Sequence, residues 1–145
     1  ASVFDAHLAG HESFAAALRA GDAAAAAEAF QAIWGRGERF DSLPAPQRAY
    51  ITQRIGLIEA QNAALLDDAA GMLAYGRLEG LGVPVLLAQG ADSPPVIDAI
   101  NTELARRLPQ VRRATIAGAG HMLPITHAAG CAGLVTDFLS EVAAV

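Results

Sequence analysis

The order of strand and helix patterns after residue 82 constrains the fold more than any other feature. Residues 83–89 are almost continuously apolar and end at Gly90, which is typical of a short strand buried on both faces. Residues 111–117 predict a second strand. Between the strands, a helical pattern is formed by Ile97, Ile100, Leu104 and Leu108. Strand, helix and strand of these lengths predict two parallel neighbours joined by a right-handed crossover.

Two parallel strands do not make a complete domain. Parallel sheets normally contain several strands and are covered on both faces, so we expect further strands to come from elsewhere. The chain also begins at Ala1 without an initiator methionine, which fits a chain whose beginning has been removed. The prediction is therefore an α/β fold in which the rest of the sheet is missing.

Residues 1–80 carry helical patterns, and the composition changes near Gly80, so we predict two regions, 1–80 and 81–145. A first helix contains Phe14, and a second begins at Asp22 as its N-cap. A third follows Pro44, and a short fourth is predicted within residues 67–78. The expected apolar face of the second helix is Phe30, Ile33 and Trp34, and that of the third is Ile51, Ile55, Ile58 and Leu65.

Composition excludes several classes of function. Hydrophobic residues make up 53% of the chain and charged residues 17%, which indicates a globular protein. The net charge of -5 argues against a nucleic-acid partner, and no apolar run reaches the roughly 20 residues that a membrane span needs. The single cysteine, Cys131, favours a reducing, cytoplasmic compartment. His7 and His11 supply only two metal ligands, so we expect neither a metal nor a cofactor.

His121 is the candidate catalytic residue. It follows the second predicted strand and the glycine-rich turn Gly118-Ala119-Gly120. Open α/β sheets place their sites at the carboxyl ends of their strands, and an imidazole there can take and return a proton near neutral pH. The alternative is a turn histidine bonded to local backbone.

The order of these motifs resembles the C-terminal third of the α/β-hydrolases. The matching residues are 83–94, including Gly90-Ala91-Asp92-Ser93-Pro94, then 104–109, 118–124 and a helix ending in Phe138-Leu139. In that family the first of these strands precedes the acidic member of the catalytic triad, and the second precedes the catalytic histidine. The resemblance thus implies that residues 1–80, with 34–37 and Leu43-Pro44 among them, form a helical cap.

Asp92 is the triad acid that the resemblance implies, although the family often has its acid three residues after the glycine, where this chain has Ser93. The alternative for Asp92 is the N-cap of the following helix. Met122 would line the substrate pocket or pack beneath the loop. Trp34 would contact the substrate from the cap or seal the cap against the sheet.

The sequence contains no nucleophile elbow. The family presents its nucleophile in a Gly-x-Ser-x-Gly turn, and the nearest imitation, residues 10–14, has its glycine one place too early. Ser13 is therefore interpreted as an ordinary helix residue.

The resemblance implies hydrolysis of an ester, a thioester or a carbon-carbon bond of a small molecule in a mostly apolar pocket between cap and sheet. The chain would be inactive alone, and its partners would be the missing N-terminal half or a second copy bound through the exposed sheet. The alternatives are a non-catalytic helical interaction module and a truncated product of a larger protein.

Overall fold

The computed structural model describes residues 2–35 and 38–144. Arg36 and Gly37, part of the cap-like segment in the sequence prediction, lie outside the described residues. The chain divides into two compact units, Ala1–Gly71 and Met72–Val145, so the division falls before the predicted change at residue 80.

The first unit is helical, and local capping explains where its helices begin. Ser2 and Asp5 form a reciprocal capping box at the start of the first helix. Asp22 accepts a 3.0 Å hydrogen bond from the amide of Ala25, which confirms the predicted N-cap. The elements are α1 (Val3–Gly10), α2 (Glu12–Arg19), α3 (Ala23–Trp34), a 3₁₀ turn (Phe40–Ser42), α4 (Ala45–Arg54), α5 (Gly56–Ala60) and α6 (Asn62–Leu65).

A small apolar core holds this unit together. Phe14 of α2 packs against Ala26 and Ala27 of α3, both of which are fully buried, and Ile55 closes the cluster. The two alanines have small side chains and so allow close packing against α3. Phe30, Ile51 and Ile58 are partly buried against the same cluster, as their spacing predicts.

Two sequence predictions for this part of the chain are wrong. The third helix is interrupted at Ile55, beside Gly56, and Leu65 at its predicted apolar face is 70% exposed. The predicted fourth helix within residues 67–78 is absent, because that segment forms turns. Gly71 and Gly76 have φ angles of 64° and 86°, in the left-handed region, which ends any right-handed helix.

The second unit is mixed α/β and contains the predicted parallel pair. Its elements are β1 (Val85–Gly90), α7 (Pro95–Arg107), β2 (Val111–Ile116), α8 (Leu123–Thr126) and α9 (Ala128–Ala143). β1 and β2 pair in parallel from Val85 opposite Val111 to Gly90 opposite Ile116. The helical connection through α7 is confirmed, and its right-handed sense stays a prediction. β1 begins and ends slightly later than predicted.

The sheet is less covered than its composition suggests. We expected β1 to be buried on both faces, but before Gly90 its residues are only half-buried and Ala88 is exposed. Within the described residues the sheet has two strands, and α9 has no buried residue. Val135, Leu139 and Val142 of α9 are exposed. The second unit therefore has apolar side chains that its own helices and strands leave exposed.

No helix in the described part of the chain combines the length and the apolar character that a bilayer crossing requires.

Candidate functional site

Backbone hydrogen bonds join the segments that follow the two strands. The amide of Ala91 donates to the carbonyl of Ile116, and the amide of Asp92 donates to the carbonyl of Ala119, each at 2.9 Å. Gly90 lies directly against this loop, because a side-chain carbon at position 90 would overlap the carbonyl groups of Ala119 and Gly120. The glycine that ends the apolar run is thus required for this close approach.

The loop after β2 carries His121. Gly118 has a φ of 68°, which favours glycine, and Ala119 is fully buried against the end of β1. The segment 117–122 is not helical, and α8 begins at Leu123. His121 is half-buried, and this burial lowers the pKa of its imidazole below 6.5. The ring is therefore mainly neutral at pH 7, which is the form that can accept a proton.

His121 opens onto a cleft of about 510 Å³ within the second unit. Most of the lining is apolar, and Met122 belongs to it. The predicted role of Met122 in substrate binding stays a prediction. The lining residues are Ala88, Gln89, Ser93, Ile97, Asn101, His121, Met122, Leu123, Pro124 and Ile125. An apolar cleft with a few polar groups is the usual form of a small-molecule site.

Two of the polar side chains in the cleft are committed to each other and to a neighbouring ion pair. Asn101 donates a 2.9 Å hydrogen bond to Gln89 Oε1, and Gln89 Nε2 donates a 3.1 Å bond to Asp98. Asp98 also accepts a 2.7 Å bond from Arg113. This network fixes the Gln89 amide and uses its bonding capacity on both sides.

Unlike Gln89 and Asn101, Ser93 has a side chain that takes no part in this network. Its amide donates to the carbonyl of Gly90 at 3.2 Å, which closes a turn between β1 and α7. Its hydroxyl oxygen is buried and has no hydrogen-bond partner among the described residues. The sequence alone predicts no role for Ser93. The signal it offers is the position of Ser93, three residues after the strand-ending Gly90.

Asp92 lies at the same edge of the sheet but is exposed. The N-cap of α7 is Pro94, and no side chain caps this helix, so the interpretation of Asp92 as its N-cap is wrong. The cleft-lining residues do not include Asp92. Its role as triad acid stays a prediction.

Trp34 belongs to the helical unit, where it lies in an aromatic cluster. Its indole N–H donates a 3.2 Å hydrogen bond to His11 Nε2. Its ring makes edge contacts with His7 and His11 and a tilted contact with Phe30, at centroid distances of 5.4, 5.8 and 6.4 Å. Its predicted contact with substrate stays a prediction.

Ser13, His7 and His11 lie in the helical unit. Ser13 is an exposed residue of α2, as its interpretation as an ordinary helix residue expects. His7 and His11 lie 4.3 Å apart between ring centroids. In the described ranges, no three His, Cys, Asp or Glu side chains are grouped closely enough to hold a metal ion.

Comparison of the chain with protein-family models, with curated proteins and with solved structures finds no match.

Proposed function

We propose that this chain is the histidine-bearing C-terminal part of an α/β-hydrolase that cleaves an ester, a thioester or a carbon-carbon bond of a small molecule. The observation that carries the proposal is the half-buried His121, held at the carboxyl ends of two parallel strands and opening onto an apolar cleft. Burial lowers the pKa of its imidazole, which favours the neutral ring. This combination is suited to general base catalysis.

In this proposal His121 takes the proton of the attacking hydroxyl and then gives it to the leaving group. Asp92 is the proposed orienting acid, since its backbone is bonded to the same loop that carries His121. Met122 forms part of the wall that holds the substrate. The nucleophile and the oxyanion donors come from a polypeptide segment outside residues 1–145, since this sequence has no elbow for either.

The uncovered sheet supports a larger catalytic body. β1 and β2 each have one partner strand among the described residues, and the helix α9 leaves Val135, Leu139 and Val142 exposed. Free strand edges and apolar faces recruit further chain. The proposed partner is the N-terminal half of the hydrolase, with a second copy of this chain as the alternative.

The test compares the 145-residue chain with the product of its complete reading frame on nitrophenyl esters and thioesters. The shorter chain should show no hydrolysis that a serine-directed reagent inhibits, whereas the complete product should. His121→Ala in the complete product should lower kcat by about 10²–10⁴-fold, the usual contribution of a general base. The rate should fall as the pH drops below 6.5, since His121 must be neutral to act.

His127→Ala is the matched control, because His127 is also half-buried and follows by six positions, but is paired at 2.8 Å with Thr126 and does not line the cleft. It should keep the wild-type rate. A wild-type rate in the His121→Ala protein would refute the proposal. Absence of hydrolysis by the complete product would instead favour the non-catalytic helical interaction module, which the separate core of the helical unit supports.

A further inference from the structure

We infer that the Ser93 hydroxyl is the polar anchor of the cleft and that it binds the uncharged carbonyl oxygen of a ligand whose body is a small hydrocarbon chain. This inference deepens the proposed function by naming the class of substrate, and it rests on that function for the chemistry that follows binding. The binding itself requires only the cleft.

The hydroxyl of Ser93 has unused hydrogen-bonding capacity. Its hydroxyl oxygen is buried without a partner, although Ser93 lines the cleft. A buried hydroxyl without a hydrogen-bond partner costs free energy in the ligand-free protein. A ligand that accepts a hydrogen bond from this hydroxyl would remove that cost. Because the hydroxyl makes no bond, rotation about the Cα–Cβ bond can turn it toward the cleft without breaking one.

The described residues that line the cleft carry no acidic or basic side chain apart from the imidazole of His121. The ten residues that line it in the described part of the chain include no Asp, Glu, Lys or Arg. His121 is mainly neutral at pH 7, and Arg113 beyond the cleft wall is paired with Asp98. A carboxylate buried here would meet no cation, which is unfavourable, whereas a neutral carbonyl needs only one hydrogen bond.

The helix that follows Ser93 also disfavours an anion in the cleft. Helix N-termini bind anions through their first free amides. Pro94 is the N-cap of α7 and Pro95 is its first residue, and neither has an N–H group. This helix therefore offers fewer donors to an anion than an ordinary helix start.

The walls of the cleft define the rest of the ligand. Ile97 comes from α7, Met122 and Leu123 follow the His121 loop, and Pro124 and Ile125 belong to α8. These side chains can cover a short alkyl or aryl group by apolar contact. An ester with a small acyl group fits both the walls and the anchor.

The experiment measures binding to the 145-residue chain by NMR, with 2-hexanone as the neutral carbonyl probe and hexanoate as the anionic probe of the same chain length. 2-Hexanone should shift the resonances of Ser93, Ile97 and Met122, and hexanoate should bind at least tenfold more weakly. Ser93→Ala should weaken the binding of 2-hexanone by about fivefold, the loss expected for one net hydrogen bond. Ser140→Ala is the matched control, because Ser140 is exposed on α9 and its hydroxyl donates to the Thr136 carbonyl.

Equal affinity of the wild type and Ser93→Ala for 2-hexanone would overturn the inference, as would tighter binding of hexanoate or shifts confined to residues outside the cleft. None of these results bears on the proposed hydrolysis, which is read from the rate of the His121→Ala variant. The hydrolysis test can also fail while Ser93→Ala still weakens ketone binding fivefold. That pair of results would mean that the cleft binds carbonyl groups but does not take part in hydrolysis.

Discussion

The backbone amide of Asp92 donates a 2.9 Å hydrogen bond to the carbonyl oxygen of Ala119. A second bond of the same length joins Ala91 to Ile116, so the turn after β1 and the loop after β2 are bound at two points. Ser93 follows the first segment and His121 follows the second. The relative position of Ser93 and His121 in the cleft therefore depends on this backbone contact.

Gly90→Ala should separate these two segments. The added carbon would overlap the carbonyl groups of Ala119 and Gly120, both of which are backbone atoms that cannot move independently. We expect the free energy of unfolding to fall by about 2 kcal/mol, within the range seen for overpacked sites. Urea unfolding measures this loss, and the NMR signals of His121 should shift in the same variant.

The control for this substitution is Gly133→Ala on α9, where an added carbon meets nothing within 4 Å. Because alanine is the better helix former, this variant should be more stable by roughly 0.5–1 kcal/mol. Unchanged stability of Gly90→Ala beside this gain would mean that the two segments do not make the close contact.

Ser93→Ala should raise stability while it weakens ligand binding. The substitution removes a buried hydroxyl that has no partner, and leaving such a group unpaired costs about 1–3 kcal/mol. Since Ser93 as a whole is only half-buried, we expect a gain near the lower end, about 1 kcal/mol. Thermal and urea unfolding of the free protein measure the gain. A less stable variant would show that the hydroxyl has a partner in solution.

Ser93→Asp tests how closely position 93 faces His121. A carboxylate in the uncharged cleft would favour the protonated imidazole, so the pKa of His121 should rise relative to the wild type. Titration of the His121 ring signals by NMR measures the change. Asp137→Asn, an exposed change on α9, should leave the titration as it is. If Ser93→Asp also leaves it unaltered, the two side chains do not share the cleft.

Some features could be predicted from sequence because local physics decides them. Asp22 caps α3 through a bond to an amide three residues later, so nothing distant is needed. The parallel pairing of β1 and β2 follows from the length of the connection between them. The loop before His121 follows from its glycines, of which Gly118 has a positive φ.

Other features depend on contacts that a pattern does not contain. Residues 67–78 have helix-forming composition, but Gly71 and Gly76 take left-handed conformations there. β1 is less buried than its sequence predicts. An apolar run shows that a strand can be buried, but it does not show which elements cover the strand. The isolated hydroxyl of Ser93 is visible only when the neighbouring segments are placed in three dimensions.

Glu79 should make stability depend on pH in the acidic range. Arg107 binds this carboxylate through two hydrogen bonds, which lower its pKa from 4.5 to about 2. A lowered folded pKa adds stability that is present above pH 4.5 and is lost as the pH falls to about 2. Glu79→Gln should reduce the loss of stability at low pH, as measured by urea unfolding at a series of pH values. Glu103→Gln, at a more exposed pair with Arg106, should reduce it less.

The aromatic cluster of the helical unit should respond to pH in a higher range. His11 accepts the hydrogen bond of the Trp34 indole on Nε2, so that nitrogen must carry no proton. Burial, and then the nearby His7, lower the pKa of His11 below 6.5, and burial lowers the pKa of His7. Both shifts favour the neutral rings, so their contribution to stability is full above pH 6.5 and declines as the pH falls below it.

Urea unfolding followed by the fluorescence of Trp34, the single tryptophan of the chain, measures this effect directly. The midpoint should be lower at pH 5 than at pH 7.5. Replacing both histidines by glutamine should reduce the difference, because glutamine does not titrate and its side-chain oxygen can still accept the indole bond. His127→Gln, in the other unit, is the matched control and should keep the full difference. Equal pH dependence in all three proteins would mean that His7 and His11 are not linked to folding.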